Sequence, residues 1–330
     1  MNFTKVKNKL LFFLMLICFS LSGQIDKELT EITDFGSNPG DLRMFVYVPA
    51  EKESSPRPLV VALHGCSQTA KEIARLSGWN KLADLNDFIV VYPQQRITNN
   101  PSNCFNWFLD KDVNKGSGEC ESIYQMIRQI RSLYKIDSTK LFVTGLSAGA
   151  AMTLVMMATH PELFNSGAVF AGGAYKIARD PMAALQISSG KTKLKTAELV
   201  QLVREQNPAY KGNYPRLILF QGTKDPVVHP NNAKYIIRQW TGLLNCDTVP
   251  CKKESSFAGH DELTRFEYCN KKNKKPSLIY FEGKGIGHQL MVNPGEKENE
   301  GGETGLFAVD KDFHATYQTA LEFGILKKKK

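Results

Sequence analysis

The stretch VTGLSAGAAM, residues Val143–Met152, decides how this 330-residue chain is interpreted. An apolar, strand-like segment leads into the pentapeptide GLSAG, centred on Ser147, and an alanine- and methionine-rich segment typical of a helix follows. A serine between two glycines, where a strand becomes a helix, is either part of a structural turn or a nucleophile displayed on that turn. The rest of the chain has to distinguish the two interpretations.

The glycines favour the second interpretation. G-x-S-x-G between a strand and a helix is the pattern of a nucleophile elbow, in which the serine adopts strained backbone angles. Residues without bulk at Gly145 and Gly149 let the strand and the helix approach each other closely. The turn also brings the serine oxygen to a helix N-terminus, where N–H groups stabilise negative charge. We therefore predict Ser147 as the nucleophile and the N–H of Ala148 as one donor of an oxyanion hole.

Strand-like and helix-like segments alternate along the rest of the chain. Short apolar runs typical of strands lie at residues 43–48, 58–65, 88–93, 140–145, 167–173, 216–222 and 277–283. Apolar residues have helical spacing at residues 122–134, 148–159, 197–205, 232–244 and 313–326. The alternation predicts an α/β fold with a mostly parallel central sheet and helices on both faces. Long polar segments, predicted as loops around a ligand crevice, lie at residues 97–118, 174–196, 246–275 and 293–310.

A serine hydroxyl becomes an effective nucleophile when a histidine accepts its proton and an acid orients that histidine. In chains with this elbow the acid and then the histidine follow the serine. Asp225 in QGTKDPVVHP and His288 in EGKGIGHQ each follow a predicted strand, so both should reach the carboxyl edge of the sheet. We predict Asp225 as the orienting acid and His288 as the general base.

Three downstream residues compete for these two roles. His229 is expected to begin the next helix, and His260 lies in a polar loop. Asp247 lies in a segment that carries cysteines. None of the three follows a predicted strand directly, which favours the first assignment.

The second oxyanion-hole donor is expected on a loop after an early strand. The residues His64, Gly65 and Cys66 follow the apolar run PLVVAL at that place. We predict that the N–H of Cys66 is the partner of the N–H of Ala148. His64 is expected to support the turn rather than to transfer protons.

The first 23 residues have the order of a secretory signal peptide. The basic start MNFTKVKNK precedes an apolar run of about a dozen residues, and small residues follow at Ser20 and Ser22. The apolar run is too short for a comfortable transmembrane span. We therefore predict a signal peptide at residues 1–23, a single catalytic domain at residues 24–330, and secretion without stable insertion into a membrane.

Export changes the interpretation of the cysteines and of the charge. Removal of Cys18 leaves six cysteines, an even number that favours disulfides in an exported chain. The formal net charge of +9 falls to +6 once Lys5, Lys7 and Lys9 are removed with the signal peptide. No aromatic residues alternate with the remaining lysine-rich runs, so we predict no nucleic-acid partner. No metal-binding or nucleotide-binding motif is complete, and we expect neither a metal nor a cofactor.

With these residues in view, the chain resembles the secreted polyhydroxybutyrate-depolymerase-type esterases, relatives of feruloyl and acetylxylan esterases. The resembling segments are FGSNPGDLRMFVYVP, PLVVALHGCSQTA, GWNKLAD, CFNWF, VTGLSAGAAM, QGTKDPVV and GIGH, in the order of the family. The resemblance implies an α/β-hydrolase fold and a triad of Ser147, Asp225 and His288. It also implies an oxyanion hole formed by Cys66 and Ala148.

The same resemblance implies roles for residues that the motifs do not explain. Trp107, in CFNWF, would line the acyl pocket, with a core aromatic as the alternative. A disulfide would join Cys246 to Cys269, and Cys66 would pair with Cys104 beside the active site. The resemblance leaves two cysteines unplaced, Cys120 and Cys251.

These patterns together predict a secreted serine carboxylesterase that hydrolyses short-chain hydroxyalkanoate polyesters or oligomers through an acyl-enzyme. A feruloyl or acetylxylan esterase acting on plant polysaccharide esters is the alternative. No Thr/Ser/Pro-rich spacer leads to an adhesive module, which favours oligomers or soluble esters over crystalline polymer. A non-catalytic exported binding protein on a hydrolase scaffold belongs to another class, and the intact Ser, Asp and His argue against it. The sequence leaves the oligomeric state open.

Overall fold

A ten-stranded sheet organises the computed structural model, which describes residues 28–50, 55–191 and 194–327. Its strands are β1 (Thr30–Ile32), β2 (Arg43–Tyr47), β3 (Arg57–Leu63), β4 (Ile89–Gln94), β5 (Ile136–Leu146), β6 (Ser166–Phe170), β7 (Arg216–Gly222), β8 (Lys252–Glu254), β9 (Leu263–Cys269) and β10 (Pro276–Gly283). A separate pair is formed by β11 (Leu290–Val292) and β12 (Ala308–Asp310).

Helices follow most of the parallel strands. They are α1 (Ala70–Ser77), α2 (Trp79–Asn86), α3 (Asp110–Val113), α4 (Gly118–Leu133), α5 (Ala148–Thr159), α6 (Pro181–Ser188), α7 (Thr196–Arg204), α8 (Asn231–Leu243) and α9 (Ala315–Phe323). The sequence did not predict α1, α2, α3 or α6, although Thr69 and Glu72 form a capping box that marks the start of α1. No helix within the described ranges is long and apolar enough to cross a membrane. The predicted signal peptide lies outside the described residues.

The strand order is β1-β2-β4-β3-β5-β6-β7-β10-β9-β8. The six strands from β4 to β10 pair in parallel, while β1 and β2 at one edge and β9 and β8 at the other pair antiparallel. The predicted α/β fold with a mostly parallel central sheet is therefore confirmed. Because parallel strands all end at one edge, the loops after β3, β5, β7 and β10 meet there.

The sheet separates two hydrophobic clusters, one on each face. The side chains of consecutive residues in a central strand belong alternately to the two clusters. In β3, Val60 belongs to the cluster that includes residues of α1, α2 and α9, whereas Val61 belongs to the cluster that includes residues of α4, α5, α7 and α8. This burial on both faces explains why the central strands are continuous apolar runs. All twelve residues of α5 are buried, so the helix that follows Ser147 is held rigidly against the sheet.

The loop predicted at residues 246–275 is wrong because it contains β8 and β9, and the other three predicted loops contain the short elements α3, α6 and β12. Strand β9 reads LTRFEYC and is mostly half-buried, so it has neither the continuous apolar run of a central strand nor a strict alternation of apolar and polar residues. Its partner β8 has the sequence KKE and is largely exposed. A short polar edge strand has no hydrophobic signal of its own, and only pairing with a neighbour defines it.

Candidate active site

Ser147 occupies the strained turn that the sequence predicted between β5 and α5. Its backbone angles are φ 58° and ψ −117°, outside the regions that residues with a side chain normally adopt. A Cβ at Gly145 would collide with the backbone of Gly149, and a Cβ at Gly149 would collide with the carbonyl oxygens of Leu63 and His64. The glycines thus permit the close approach of strand, helix and the loop after β3. The Ser147 side chain is left half-buried at the carboxyl edge of the sheet.

Backbone hydrogen bonds tie the ends of four neighbouring strands together at that edge. The N–H of Ser147 donates to the carbonyl of Phe170 at 2.9 Å, at the end of β6. The N–H of Ala171 donates to the carbonyl of Phe220 at 3.0 Å, in β7. The N–H of Thr223 donates to the carbonyl of Gly283 at 2.9 Å, at the end of β10. The loops that carry the three predicted catalytic residues therefore leave the sheet along one line.

Asp225 and His288 are in contact although 63 positions separate them. The Nδ1 of His288 lies 2.8 Å from Oδ2 of Asp225. The Oδ1 of Asp225 accepts hydrogen bonds from the N–H groups of Val227 and Val228, both at 2.8 Å. The carboxylate is held in this orientation from two sides and is buried. Because an ionised carboxylate only accepts, Nδ1 carries the proton and Nε2 of His288 is left as a proton acceptor.

The loop after β10 crosses back over the end of β7. A Cβ at Gly222 would collide with the backbone carbonyl oxygens of Ile286 and Gly287, so the chain that precedes His288 lies directly on this glycine. The N–H of Lys224 donates to the carbonyl of Ile286 at 3.0 Å. In the sheet, β6 lies between β5 and β7. Because adjacent strands are about 4.8 Å apart, β7 lies about twice that distance from β5. The crossing carries the imidazole from β10 towards the strand that ends at Ser147.

The competing residues have other partners. The Nδ1 of His229 accepts from the N–H of Asn231, at the start of α8, as expected for a residue that begins a helix. Asp247 is exposed and pairs with Lys271 at 2.8 Å. His260 packs edge-on against Phe313. None of these contacts includes Asp225, His288 or the elbow.

The loop after β3 lies against the nucleophile elbow. A Cβ built on Gly65 would lie 3.3 Å from the Cβ of Ser147. The N–H groups of Gly65, Ser67 and Gln68 all donate hydrogen bonds within this loop and its neighbour. The N–H of Cys66 donates to no atom of the described residues. As the first residue of α5, Ala148 has an N–H without an intrahelical acceptor. Within the part of the chain that the structure describes, neither predicted oxyanion-hole donor has a hydrogen-bond acceptor, and the loop of Cys66 lies against Ser147.

His64 supports the turn, in the way the sequence predicted. Its Nε2 accepts from the N–H of Gln95 at 3.0 Å, so Nδ1 carries the proton and donates to the carbonyl of Gly65 at 2.7 Å. Burial lowers the pKa of His64 to about 4. The ring stays neutral near neutral pH and acts as a fixed bridge between β4 and the loop.

The structure pairs Cys66 with Cys104, as the resemblance implied, and Cys251 with Cys269. The implied pairing of Cys246 with Cys269 is wrong. Cys246 is buried with its Sγ 3.5 Å from the carbonyl of Tyr268, whereas Cys251 is exposed beside β9. The thiol of Cys246 is a free, buried thiol of the core, and Cys269 is bonded to Cys251 instead.

Trp107 lies against the loop that leaves β6. Its six-membered ring is 3.6 Å from the point where a Cβ on Gly173 would lie, and it packs edge-on against Phe108. The side chain is half-buried and touches the larger hydrophobic cluster. It is therefore neither a fully buried core residue nor a free surface residue, and its place beside the loop after β6 suits a pocket wall.

Sequence reasoning missed the polar residues that hold these loops. Gln221 donates from Nε2 to Oδ2 of Asp225 at 3.1 Å, and it is the penultimate residue of β7. Glu119 lies almost fully buried and accepts a hydrogen bond from the N–H of Asn106, two residues after Cys104. An acidic residue in the first turn of a helix normally faces water, so its sequence position carries no sign of burial.

The described residues contain one group of three side chains close enough to hold a metal ion, Cys251, Glu267 and Cys269. A disulfide joins the two cysteines of this group, so their thiolates are not available as ligands. The catalytic residues predicted from the sequence are not part of it.

Comparison with known proteins assigns the chain to a family. The model of the family described as esterase PHB depolymerase matches residues 42–251. The chain belongs to this family. The resemblance seen in the sequence is confirmed, and the protein is a carboxylic ester hydrolase with an α/β-hydrolase fold.

Three relatives of this esterase illustrate the range of the family. Poly(3-hydroxyalkanoate) depolymerase C of Paucimonas lemoignei is 36% identical over 318 residues, covering 96% of this chain and 75% of that protein. Feruloyl esterase B of Thermothelomyces thermophilus is 32% identical, covering 80% of this chain and 89% of that protein. The solved structure of acetyl xylan esterase from Aspergillus awamori has a TM-score of 0.72 at 29% identity, covering 79% of this chain and 94% of the other.

Proposed function

We propose that this esterase acts through an acyl-enzyme in which Ser147 is the nucleophile, His288 the general base and Asp225 the orienting acid. The observation that carries the proposal is the 2.8 Å hydrogen bond between Asp225 and Nδ1 of His288. This bond leaves Nε2 free to accept a proton, on the sheet edge where the strained Ser147 lies. The predicted site residues thus have the chemical states that nucleophilic catalysis needs.

The reaction proceeds in two halves. His288 takes the proton of the Ser147 hydroxyl as the oxygen attacks the ester carbonyl, and the N–H groups of Cys66 and Ala148 stabilise the oxyanion. His288 then gives the proton to the departing alcohol and leaves an acyl-enzyme. A water molecule repeats the sequence and releases the acid. Trp107 forms one wall of the acyl pocket.

As substrates we propose short hydroxyalkanoate polyesters and their oligomers. The relative with 36% identity over 96% of the chain is named a poly(3-hydroxyalkanoate) depolymerase, which supports this choice. The alternative is an acetyl or feruloyl ester on plant polysaccharide, supported by the likeness to a solved acetyl xylan esterase at a TM-score of 0.72. Both reactions use the same acyl-enzyme chemistry and differ in the group that the cleft holds.

We also propose that residues 1–23 direct export and that residues 24–330 form one catalytic domain. Two disulfides support an oxidising destination, because such bonds persist in exported proteins and are rare in the cytosol. The N-terminal sequence of the secreted protein tests the cleavage site. A mature protein that begins at Met1 would contradict the export signal.

Hydroxybutyrate oligomers, acetylated xylan and methyl ferulate offered side by side to the purified enzyme test the substrate. We expect the highest kcat/KM on the oligomers. Ser147→Ala should lower kcat by about 10⁴- to 10⁶-fold and abolish labelling by a fluorophosphonate probe. If the variant still reacts with the probe, Ser147 is not the nucleophile. If the wild-type protein hydrolyses these esters but is not labelled at all, the reaction does not pass through a serine acyl-enzyme.

A further inference from the structure

Glu119 is 1% exposed although it is the second residue of α4. The loop before β2 covers it, since a Cβ at Gly40 would collide with the Glu119 backbone and the N–H of Gly40 donates to Oγ of Ser122 at 2.8 Å. Burying a carboxylate costs several kcal/mol unless hydrogen bonds replace the lost water. Its partners therefore explain why this side chain is tolerated inside the fold.

Three hydrogen-bond donors converge on the Glu119 carboxylate. Its Oε2 accepts from the N–H of Asn106 at 2.8 Å, and its Oε1 accepts from Nδ2 of Asn106 at 2.8 Å and from Nε2 of Gln95 at 2.5 Å. The two amide orientations are determined elsewhere. The Oε1 of Gln95 accepts from the N–H of Arg96, and the Oδ1 of Asn106 accepts from Asn100. Only a carboxylate offers two acceptor oxygens to this set of donors.

The first branch of this network leads to the oxyanion loop. Gln95 donates from its N–H to Nε2 of His64 at 3.0 Å, and Nδ1 of His64 donates to the carbonyl of Gly65 at 2.7 Å. The Gly65 carbonyl and the Cys66 N–H belong to one planar peptide unit. Holding the carbonyl oxygen therefore aims the Cys66 N–H.

The second branch leads to the wall of the acyl pocket. Asn106, held by Glu119 through two bonds, immediately precedes Trp107. Nε2 of Gln95 also donates to the carbonyl of Cys104 at 3.0 Å, and Cys104 is joined to Cys66 by a disulfide. The buried carboxylate of Glu119 is thus linked through hydrogen bonds to the loop of Cys66 and to the loop of Cys104, the two cysteines of the disulfide beside the site.

We propose that Glu119 is the positioning residue that aims the Cys66 N–H into the oxyanion hole and keeps Trp107 in place. The proposal rests on the function proposed above, because it assigns catalytic meaning to the loop of Cys66. Glu119 itself touches no reacting atom. Its effect passes through Gln95 and Asn106.

Burial, with the nearby carboxyl of Asp112 as the second cause, raises the pKa of Glu119 to about 8. The groups facing it are Asp112 from α3, with Lys111 next to it, and neutral His64 beyond Gln95. Protonation turns one carboxyl oxygen into a donor that faces another donor, so the network is complete only when Glu119 is ionised. We expect kcat to rise as the pH approaches 8. The free energy of unfolding should fall from about pH 4.5 to about pH 8, because the folded state binds this proton more tightly.

Glu119→Gln tests the proposal, with Glu121→Gln as the matched control. Glu121 lies in the same first turn of α4, is half-buried and accepts from Gln125 at 3.0 Å, away from the network. Hydrolysis of p-nitrophenyl acetate and butyrate is measured between pH 6 and pH 9, with thermal unfolding to show that each variant is folded. Ser147→Ala in the same assay tests the proposed function separately from the role of Glu119.

We expect Glu119→Gln to lower kcat on the acetate by about 10- to 100-fold, since small displacements of oxyanion donors cost this much. KM for the acetate should change by less than about threefold, and the rise of kcat towards pH 8 should become shallower than in the wild type, since only the part that depends on Glu119 is removed. A folded variant with wild-type kcat and an unchanged pH profile overturns the proposal, even if Ser147→Ala is inactive. If Glu119→Gln does not fold, Gln95→Ala removes the hydrogen bonds from Gln95 to Glu119 and to the Cys104 carbonyl, and leaves both bonds between Asn106 and Glu119 in place. A wild-type kcat in that variant overturns the proposal too.

Discussion

Replacing Asp225 by asparagine tests the catalytic assignment, because four hydrogen bonds determine the orientation of the Asp225 carboxylate. The carboxylate accepts two backbone hydrogen bonds on Oδ1, from Val227 and Val228, and two on Oδ2, from His288 and Gln221. The two backbone donors belong to the main chain of the turn after β7 and are held by it. The amide oxygen of Asp225→Asn should therefore take the Oδ1 place, and the amide NH₂ should face Nδ1 of His288.

That arrangement selects the wrong tautomer of the imidazole. Facing a donor, Nδ1 of His288 becomes the acceptor and Nε2 carries the proton, so the ring can no longer take a proton from Ser147. The equivalent change in serine hydrolases with this triad lowers kcat by about 10⁴-fold, which corresponds to about 5.5 kcal/mol of transition-state stabilisation. We expect a loss of this size here, with the fold retained.

The assay is steady-state hydrolysis of p-nitrophenyl acetate near pH 8, with circular dichroism as the test of folding. Asp247→Asn is the matched control, since Asp247 is an exposed carboxylate that pairs with Lys271, away from His288. The control should keep full activity. If Asp225→Asn loses less than about tenfold in kcat, the tautomer argument is refuted and another group orients His288.

Three further predictions concern the scaffold. Removing the disulfide with Cys66→Ser and Cys104→Ser should lower the free energy of unfolding by roughly 4 kcal/mol, because the bond closes a loop of 38 positions; an unchanged urea midpoint would contradict this. Gly149→Ala should destabilise the protein by about 1–3 kcal/mol and reduce kcat, because its Cβ would collide with carbonyl oxygens after β3; wild-type stability and rate would show that the elbow has more space. Burial lowers the pKa of both His64 and His314 to about 4, so each should contribute a loss of about 3 kcal/mol as the pH falls from 6.5 to 4. His314→Gln should flatten the pH dependence of the urea midpoint, and an unaltered slope would speak against a buried neutral ring.

Most elements with a strong apolar pattern among residues close together in the chain were predicted from the sequence. Elements defined mainly by pairing with distant residues were missed. The central strands were predicted because each is a continuous apolar run buried on both faces, and β7 was predicted with the bounds that the structure has. The edge strands β8 and β9 were missed because their burial is partial and their identity depends on pairing. The pairing of Cys269 was wrong for the same reason, since the choice between Cys246 and Cys251 depends on which thiol faces the core.

The sequence by itself determined the central strands, the helices α4, α5, α7, α8 and α9, the elbow, and the choice of Ser147, Asp225 and His288 as candidates, because periodicity and glycine sterics act over a few residues. Their catalytic roles stay predictions. Only the tertiary structure decided that the imidazole of His288 meets a carboxylate 63 positions away, and that the carboxylate of Glu119 lies buried among three donors. Contacts of this kind depend on how strands and loops pack across the whole sheet, and local patterns contain no information about which distant groups that packing brings within 3 Å.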